Sequence, residues 1–289
     1  MVTSIPRHDF PTEETAEAIA ARAQSTNRVI ARLEGSEMAG SRALSSTLTV
    51  AKSCCATDPE ATKFETWEAW VTAMQVGSAL FAAGTALEGP VPSRIGVDGE
   101  VKNLPATGPK PYLHAGAWLT SFYLAVICRE NQRLEQLAQV PVSFLRASGA
   151  VFDEFIYDWV EALQSFWAGR AEDMWNKLVA AAKGTAPETI GNTDTELVLK
   201  ILYPPINLFD RYQRVDTAQF NEALVDALTW HKQYWTADEA RSLSSDGLVA
   251  LAPLALACLA RDGGIPIEVE SEYLPKELLE FGWAGEVDA

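Results

Sequence analysis

Apolar residues recur at three- and four-residue spacings along nearly the whole chain, the pattern of helices that bury one side. The opening stretch Thr12–Glu34 starts on a T-E-E cap and sets Ala16, Ile19, Ala20, Ala23, Ile30 and Leu33 at that spacing, which predicts one amphipathic helix. Gly35 and Gly40 punctuate it, a second helix is expected over Ser41–Thr57, and Asp58–Pro59 closes that one. A third, Ala61–Leu87, carries Phe64, Trp67, Val71, Met74 and Leu80 or Phe81 on its apolar side. The segment Glu88–Lys110 breaks the period. It is rich in Gly and Pro and centres a D-G turn between β-compatible runs, which predicts a small hairpin insertion near residues 93–104.

Tyr112–Arg129 is apolar on nearly every side through Trp118, Phe122, Leu124, Val126 and Ile127, as a central helix wrapped by others would be. Further helices are expected over Asn131–Gln139, Val142–Ser148, Val151–Ala168, Asp173–Lys183, Thr193–Tyr212, Thr217–Trp235, Asp246–Arg261 and Pro275–Phe281. Two prolines in Tyr203–Pro204–Pro205 remove consecutive backbone donors, so that helix must kink or split there. The longest nearly uncharged run, Gly247–Ala260, has 14 residues and is interrupted by Pro253. It falls short of the ~20 a membrane span needs and reads as a kinked core helix. Ile265–Tyr273 alternates in period two, which predicts an extended edge strand or covering loop with Glu268, Glu270 and Glu272 on one face.

Laying Phe152–Trp167 over Phe220–Trp235 aligns Phe, Glu, Asp and Trp at matching places. A helical-hairpin array of tetratricopeptide style would produce this, and so would coincidence between two amphipathic helices. The expected fold is therefore all-α, a multi-helix bundle or a tetratricopeptide-like helical-hairpin array with a small β-hairpin insertion. One domain over residues 1–289 is expected, divisible into N-terminal helices plus hairpin (1–110) and a helical array (111–289).

Charge changes the functional picture more than size does. Against 39 Asp and Glu stand 23 Lys and Arg, a formal net charge of −16. Phosphate recognition needs clustered cations, and no basic run exists, so neither nucleic acid nor an anionic membrane is an expected partner. Two readings of the acidity stand: solubility, or steering of a basic partner. The four cysteines form no C-x-x-C pair and read as buried small apolar residues of a reduced compartment. The start, MVTSIPRHDFPTEE, has no apolar signal core, so no export signal is read and a cytoplasmic protein is expected.

Catalytic signatures are missing: no G-x-S-x-G elbow, no phosphate loop, no H-E-x-x-H and no dinucleotide fingerprint. Neither His114 nor His231 sits in an E-x-x-H pattern, and no catalytic residue, metal or cofactor is called for. The densest distinctive patch is Trp230–His231–Lys232–Gln233–Tyr234–Trp235, read either as an interaction surface or as Trp230 and Tyr234 packing in the core with polar tips outside. Glu65 and Glu68, beside Trp67 and Trp70, could pair as general acid and base next to exposed indole, or form a solvated helix face. The glutamate ladder could attract a basic partner, or keep an edge strand from pairing.

The strings E-T-W-E-A-W-V-T-A-M-Q-V-G-S-A-L-F (Glu65–Phe81), L-R-A-S-G-A-V-F-D-E (Leu145–Glu154), K-I-L-Y-P-P (Lys200–Pro205), F-N-E-A-L-V-D-A-L-T-W-H-K-Q-Y-W-T (Phe220–Thr236) and I-E-V-E-S-E-Y-L-P (Ile267–Pro275), with the H-D-F-P opening at His8–Pro11, resemble the immunity protein 49 family. The resemblance implies an intracellular protein that neutralises a secreted polymorphic toxin by binding it. A toxin partner, basic if the net charge steers the encounter, would then meet the acidic and aromatic ground of Asp226, Trp230, His231, Glu268, Glu270 and Glu272. The alternative is a small-molecule-binding or enzymatic helical protein whose aromatic-lined cleft uses Trp67, Trp70, Trp118 or Trp230.

Overall fold

Ser36 decides where the second helix begins. In the computed structural model, which describes residues 2–11, 15–96 and 101–283, its hydroxyl accepts the Ala39 N–H at 3.3 Å and starts α2 (Glu37–Thr57) directly after the turn that follows α1 (Thr15–Ile30). Gly40 is therefore inside α2 rather than a break before Ser41. A Cβ there would meet the Tyr112 hydroxyl at 2.9 Å, so the glycine makes room for a ring instead of ending a helix. The predicted start at Thr12 lies outside the described residues. Asp58 then ties down the entry to α3 (Phe64–Thr85), its carboxylate accepting from the Thr62 and Lys63 N–H groups at 3.0 and 2.9 Å.

Along α3 the predicted stripe is buried except Phe64, which is exposed. Trp67 and Trp70 are core residues, which corrects the reading of exposed indole beside Glu65 and Glu68. The hairpin pairs β2 (Val91–Arg94) antiparallel with β3 (Val101–Leu104), Val91 opposite Leu104, and its D-G turn lies outside the described residues. α4 (Ala115–Ile127) is the predicted central helix: it packs against α3, α5 (Asn131–Ala138), α7 (Glu154–Trp167) and α13 (Leu251–Asp262), with α6 (Val142–Arg146) at its flank. Trp118 is fully buried there and donates its Nε1–H to the Leu137 carbonyl at 2.9 Å.

The helix α7 packs along α8 (Ala171–Gly184), and α10 (Tyr203–Gln213) along α11 (Thr217–Trp235). Phe152 precedes α7 whereas Phe220 lies inside α11, so the aligned phenylalanines do not occupy equivalent helical positions. At Tyr203–Pro204–Pro205 the predicted disruption takes a definite form. A short α9 (Thr195–Leu197) passes into a π-helix over Val198–Leu202, where the Tyr203 N–H reaches back five residues to Val198, and α10 restarts with the prolines in its first turn. Pro253 also sits in a first turn, that of α13, where its missing N–H costs nothing. The expected kink within Gly247–Ala260 is thus corrected: a short α12 (Glu239–Ser242) and a 3₁₀ turn (Ser245–Gly247) precede the helix, and the proline lies in its first turn.

Two segments far apart in sequence are drawn together. β1 (Thr3–Ser4) pairs in parallel with β4 (Val269–Glu270), Thr3 opposite Val269, through Thr3 N–H to Glu268 and Ile5 N–H to Glu270, each 2.9 Å. Arg129 clamps α13 to α14 (Lys276–Glu280), donating to the Leu278 and Leu279 carbonyls at 2.7 and 2.8 Å and to Asp262. Cys55, Cys128 and Cys258 are buried and Cys54 is half-buried, and burial pushes Cys55 up to about 12. No described helix is long and apolar enough to cross a membrane.

Candidate functional site

The glutamate ladder is held by an asparagine. Asn221, buried on α11, acts as a peptide-like edge: its Oδ1 accepts the Glu268 N–H at 2.7 Å and its Nδ2 donates to the Pro266 carbonyl at 2.9 Å. Residues 266–268 are thereby tied to α11, and the chain runs on through β4 before turning at residues 272–273, so the strand expected over Ile265–Tyr273 is only two residues long and Glu272 sits in the turn after it. The predicted alternation is present. Glu268, Glu270 and Glu272 are exposed while Val269 and Tyr273 are buried. Beside Glu270 and Glu272 runs a groove of about 510 Å³, lined also by Glu60, Arg261, Lys276 and Glu280.

On α11, Asp226 is exposed and Trp230 half-buried. At 3.6 residues per turn, Trp230 lies about 180° around the helix from Asn221, so the strand with the ladder and the Trp230 flank sit on opposite sides of the α11 ridge. Asp226 lies between them. His231 is not on this surface. It is 6% exposed, donates Nε2–H to the Gly247 carbonyl at 3.0 Å, and meets the Tyr273 ring edge-on at 4.9 Å between centroids. Burial pulls it down to about 3, so it is a neutral core histidine. The core-facing member of the aromatic patch is thus His231, not Trp230 and Tyr234; Tyr234 stays half-buried with the Arg241 guanidinium 4.3 Å over its ring.

A second feature was not predicted from these residues. A mostly apolar cleft of about 570 Å³ opens between α4, α7, the π-helix, α11 and the start of α13. Its walls include Leu119, Ile156, Trp159, Pro205, Val249 and Leu251, whereas Trp67, Trp70 and Trp118, proposed from sequence for such a cleft, are core residues outside it and Trp230 does not line it. One end is polar. Lys52 of α2, its side chain 8% exposed, reaches Asp246 at 2.8 Å beside His231 and Trp235. The opposite wall is set by Asp153, whose carboxylate accepts the Gly191, Asn192 and Thr193 N–H groups, each at 2.9 Å. Burial pushes Asp153 up, but hydrogen bonds from Thr193, Gly191 and Asn192 outweigh it and hold the group below the usual carboxylate range. No sequence signal joins Lys52 to Asp246 or Asp153 to residues 191–193, because those pairs are set by how helices cross. Among the described residues no group of side chains is spaced to hold a metal.

No curated protein and no solved structure matches the chain. The model of a protein family, immunity protein 49, matches residues 58–278, which takes in α3 through β4, both flanks of α11 and the whole glutamate ladder. With most of its length so matched, the chain belongs to the immunity protein 49 family, and it is an immunity protein of toxin systems.

Proposed function

We propose that this protein neutralises a cognate toxin by binding it stoichiometrically in the cytoplasm, and that the toxin is basic where it docks. The observation that carries the reading is the exposed series of Glu268, Glu270 and Glu272 on and beside β4, next to a groove whose carboxylates Glu60 and Glu280 accompany Arg261 and Lys276, in a chain of net charge −16. Like charges fixed along one face steer an oppositely charged partner and raise the association rate. Asp226 and the half-buried Trp230 extend this ground across the α11 ridge, where Trp230 offers a broad amphipathic contact. His231 contributes by supporting the surface from within.

Co-expression with toxin domains encoded beside the gene tests the proposal. Growth rescue together with a one-to-one complex on size-exclusion chromatography is the expected outcome; rescue without a complex would sink binding and point to repair of the toxin's target. Replacing Glu268, Glu270 and Glu272 by Lys is expected to slow association by about ten-fold or more at low ionic strength, with the difference shrinking as salt screens it. An unchanged association rate would remove the ladder from the interface.

A further inference from the structure

The cleft between α4, α7, the π-helix, α11 and α13 has the build of a ligand site, and the exposed ground proposed for toxin binding lies outside it. Its volume of about 570 Å³ falls in the ~300–1,000 Å³ range of small-molecule pockets, and its walls are mostly apolar, with Lys52 and Asp246 paired at one end and Asn192, Thr193, Asp194 and Lys200 also on the lining. The paired end is unusual. Lys52 is a desolvated ammonium whose one partner among the described residues, Asp246, is itself half in solvent at 53% exposure. Trp235 lines the same end, and its indole Nε1 is buried with no acceptor among the described residues. Gly247, next to Asp246, packs against Trp235: a Cβ there would meet its Cγ at 2.9 Å. His231 spends its Nε2–H on the Gly247 carbonyl.

Buried donors without acceptors are costly, and an ammonium out of water more so. The charges of Lys52 and Asp246 cancel, and the excess at this end is of donors: the ammonium has three N–H groups and one acceptor among the described residues, so an acceptor-bearing head group fits it and a donor-only one does not. Another wall is formed by a backbone irregularity. Lys200, Ile201 and Leu202 of the π-helix line the cleft, and because Pro204 and Pro205 carry no N–H, the Lys200 carbonyl finds neither an α-type nor a π-type donor. Interrupted helices of this kind recur at binding sites, where the irregular backbone keeps a space open that a regular helix would close.

We propose that this cleft binds an apolar monocarboxylate, with the carboxylate on the Lys52 ammonium and the hydrocarbon body along Leu119, Ile156, Trp159 and Val249. A charge-assisted hydrogen bond to Lys52 supplies the preference for the anion, and the apolar walls supply most of the contact area. The site stands independently of the toxin reading and is tested on the protein alone.

Decanoate, decanol and decylammonium serve as probes of one chain length, titrated into the full-length protein by calorimetry below micelle-forming concentrations. Decanoate is expected to bind at least about ten-fold more tightly than the other two. Lys52→Met is expected to reduce decanoate to the level of decanol and to leave decanol unchanged. Asp246→Asn, at an exposed position, removes the competing anion and is expected to tighten decanoate several-fold, a gain that loss of folding cannot imitate. Leu251→Trp fills the cleft and is expected to weaken all three probes while circular dichroism shows the helices intact. Equal affinity for the three head groups, a preference for decylammonium, no binding of any probe, or undiminished binding in folded Leu251→Trp would each overturn the proposal.

Discussion

Two aromatic-rich regions of this protein, made from similar residues, end in opposite states. Between α3 and α4 the helices close completely: Trp70, Trp118 and Phe122 are fully buried, and Gly77 lets Ser121 approach so near that a Cβ would stand 2.6 Å from its hydroxyl. Between α7, α11 and α13, where Trp159, Trp235 and Phe152 gather, a cleft of about 570 Å³ remains. Hydrophobic content does not distinguish them. Backbone punctuation does: a glycine inside α3 permits close helix approach, whereas two prolines force a π-helix and a restart that hold the neighbouring elements apart.

Substitutions can break or sharpen that contrast. The largest loss is expected from Trp118→Ala, which empties a closed core and orphans the Leu137 carbonyl; about 3–5 kcal/mol should disappear from the unfolding free energy in urea. Next is acid. His231 is held neutral with its pKa at about 3, below its unfolded value of about 6.5. The unfolded chain therefore binds the extra proton, and stability, complete above about pH 6.5, should fall by up to about 1.4 kcal/mol per pH unit until the folded group titrates. Denaturation at pH 7.5, 5.5 and 4.5 measures the slope, to which the likewise lowered His8 and His114 add, and His231→Gln should reduce it to their share.

Asp153→Ala should cost about 2 kcal/mol at neutral pH, because three backbone donors of the 191–193 loop lose a charged acceptor. The depressed pKa of Asp153 means that its contribution is complete above the unfolded carboxylate value near 4 and lost only as pH falls through the folded value. Proteolysis at that loop should rise in the variant, and the acid loss below about pH 4 should shrink. Smallest of all is Leu197→Ala on the cleft wall, a half-buried side chain already facing a void, expected to cost under about 1 kcal/mol. A loss there as large as that of Trp118→Ala would mean that the cleft is packed in solution, and the contrast would fall.

Much of the architecture was legible wherever it depends on local period. The helix Thr217–Trp235 carries the bounds that periodicity predicts, opened by the Asp216 side chain accepting from Gln219 N–H. The alternation of Ile265–Tyr273 likewise places Glu268, Glu270 and Glu272 outward. Misreadings cluster where a local cue has two physical uses. Gly40 and Pro253 look like breaks, yet one makes room for Tyr112 and the other starts a helix. The Trp230–Trp235 patch resembles an aromatic core stripe, yet the core takes His231, because Tyr273 and Gly247, distant in sequence, complete its surroundings.

What the sequence determined by itself is therefore the helical order, the central apolar helix, the acidic ladder and the absence of basic clusters, since each is a property of neighbouring residues or of composition. Tertiary structure alone decided that β1 joins β4 across more than 260 residues, that Lys52 meets Asp246, and that a cleft stays open beside a closed core. Spacing along a chain specifies which side of a helix is apolar. How closely two such sides approach depends on every helix packed around them, and no local pattern carries that information.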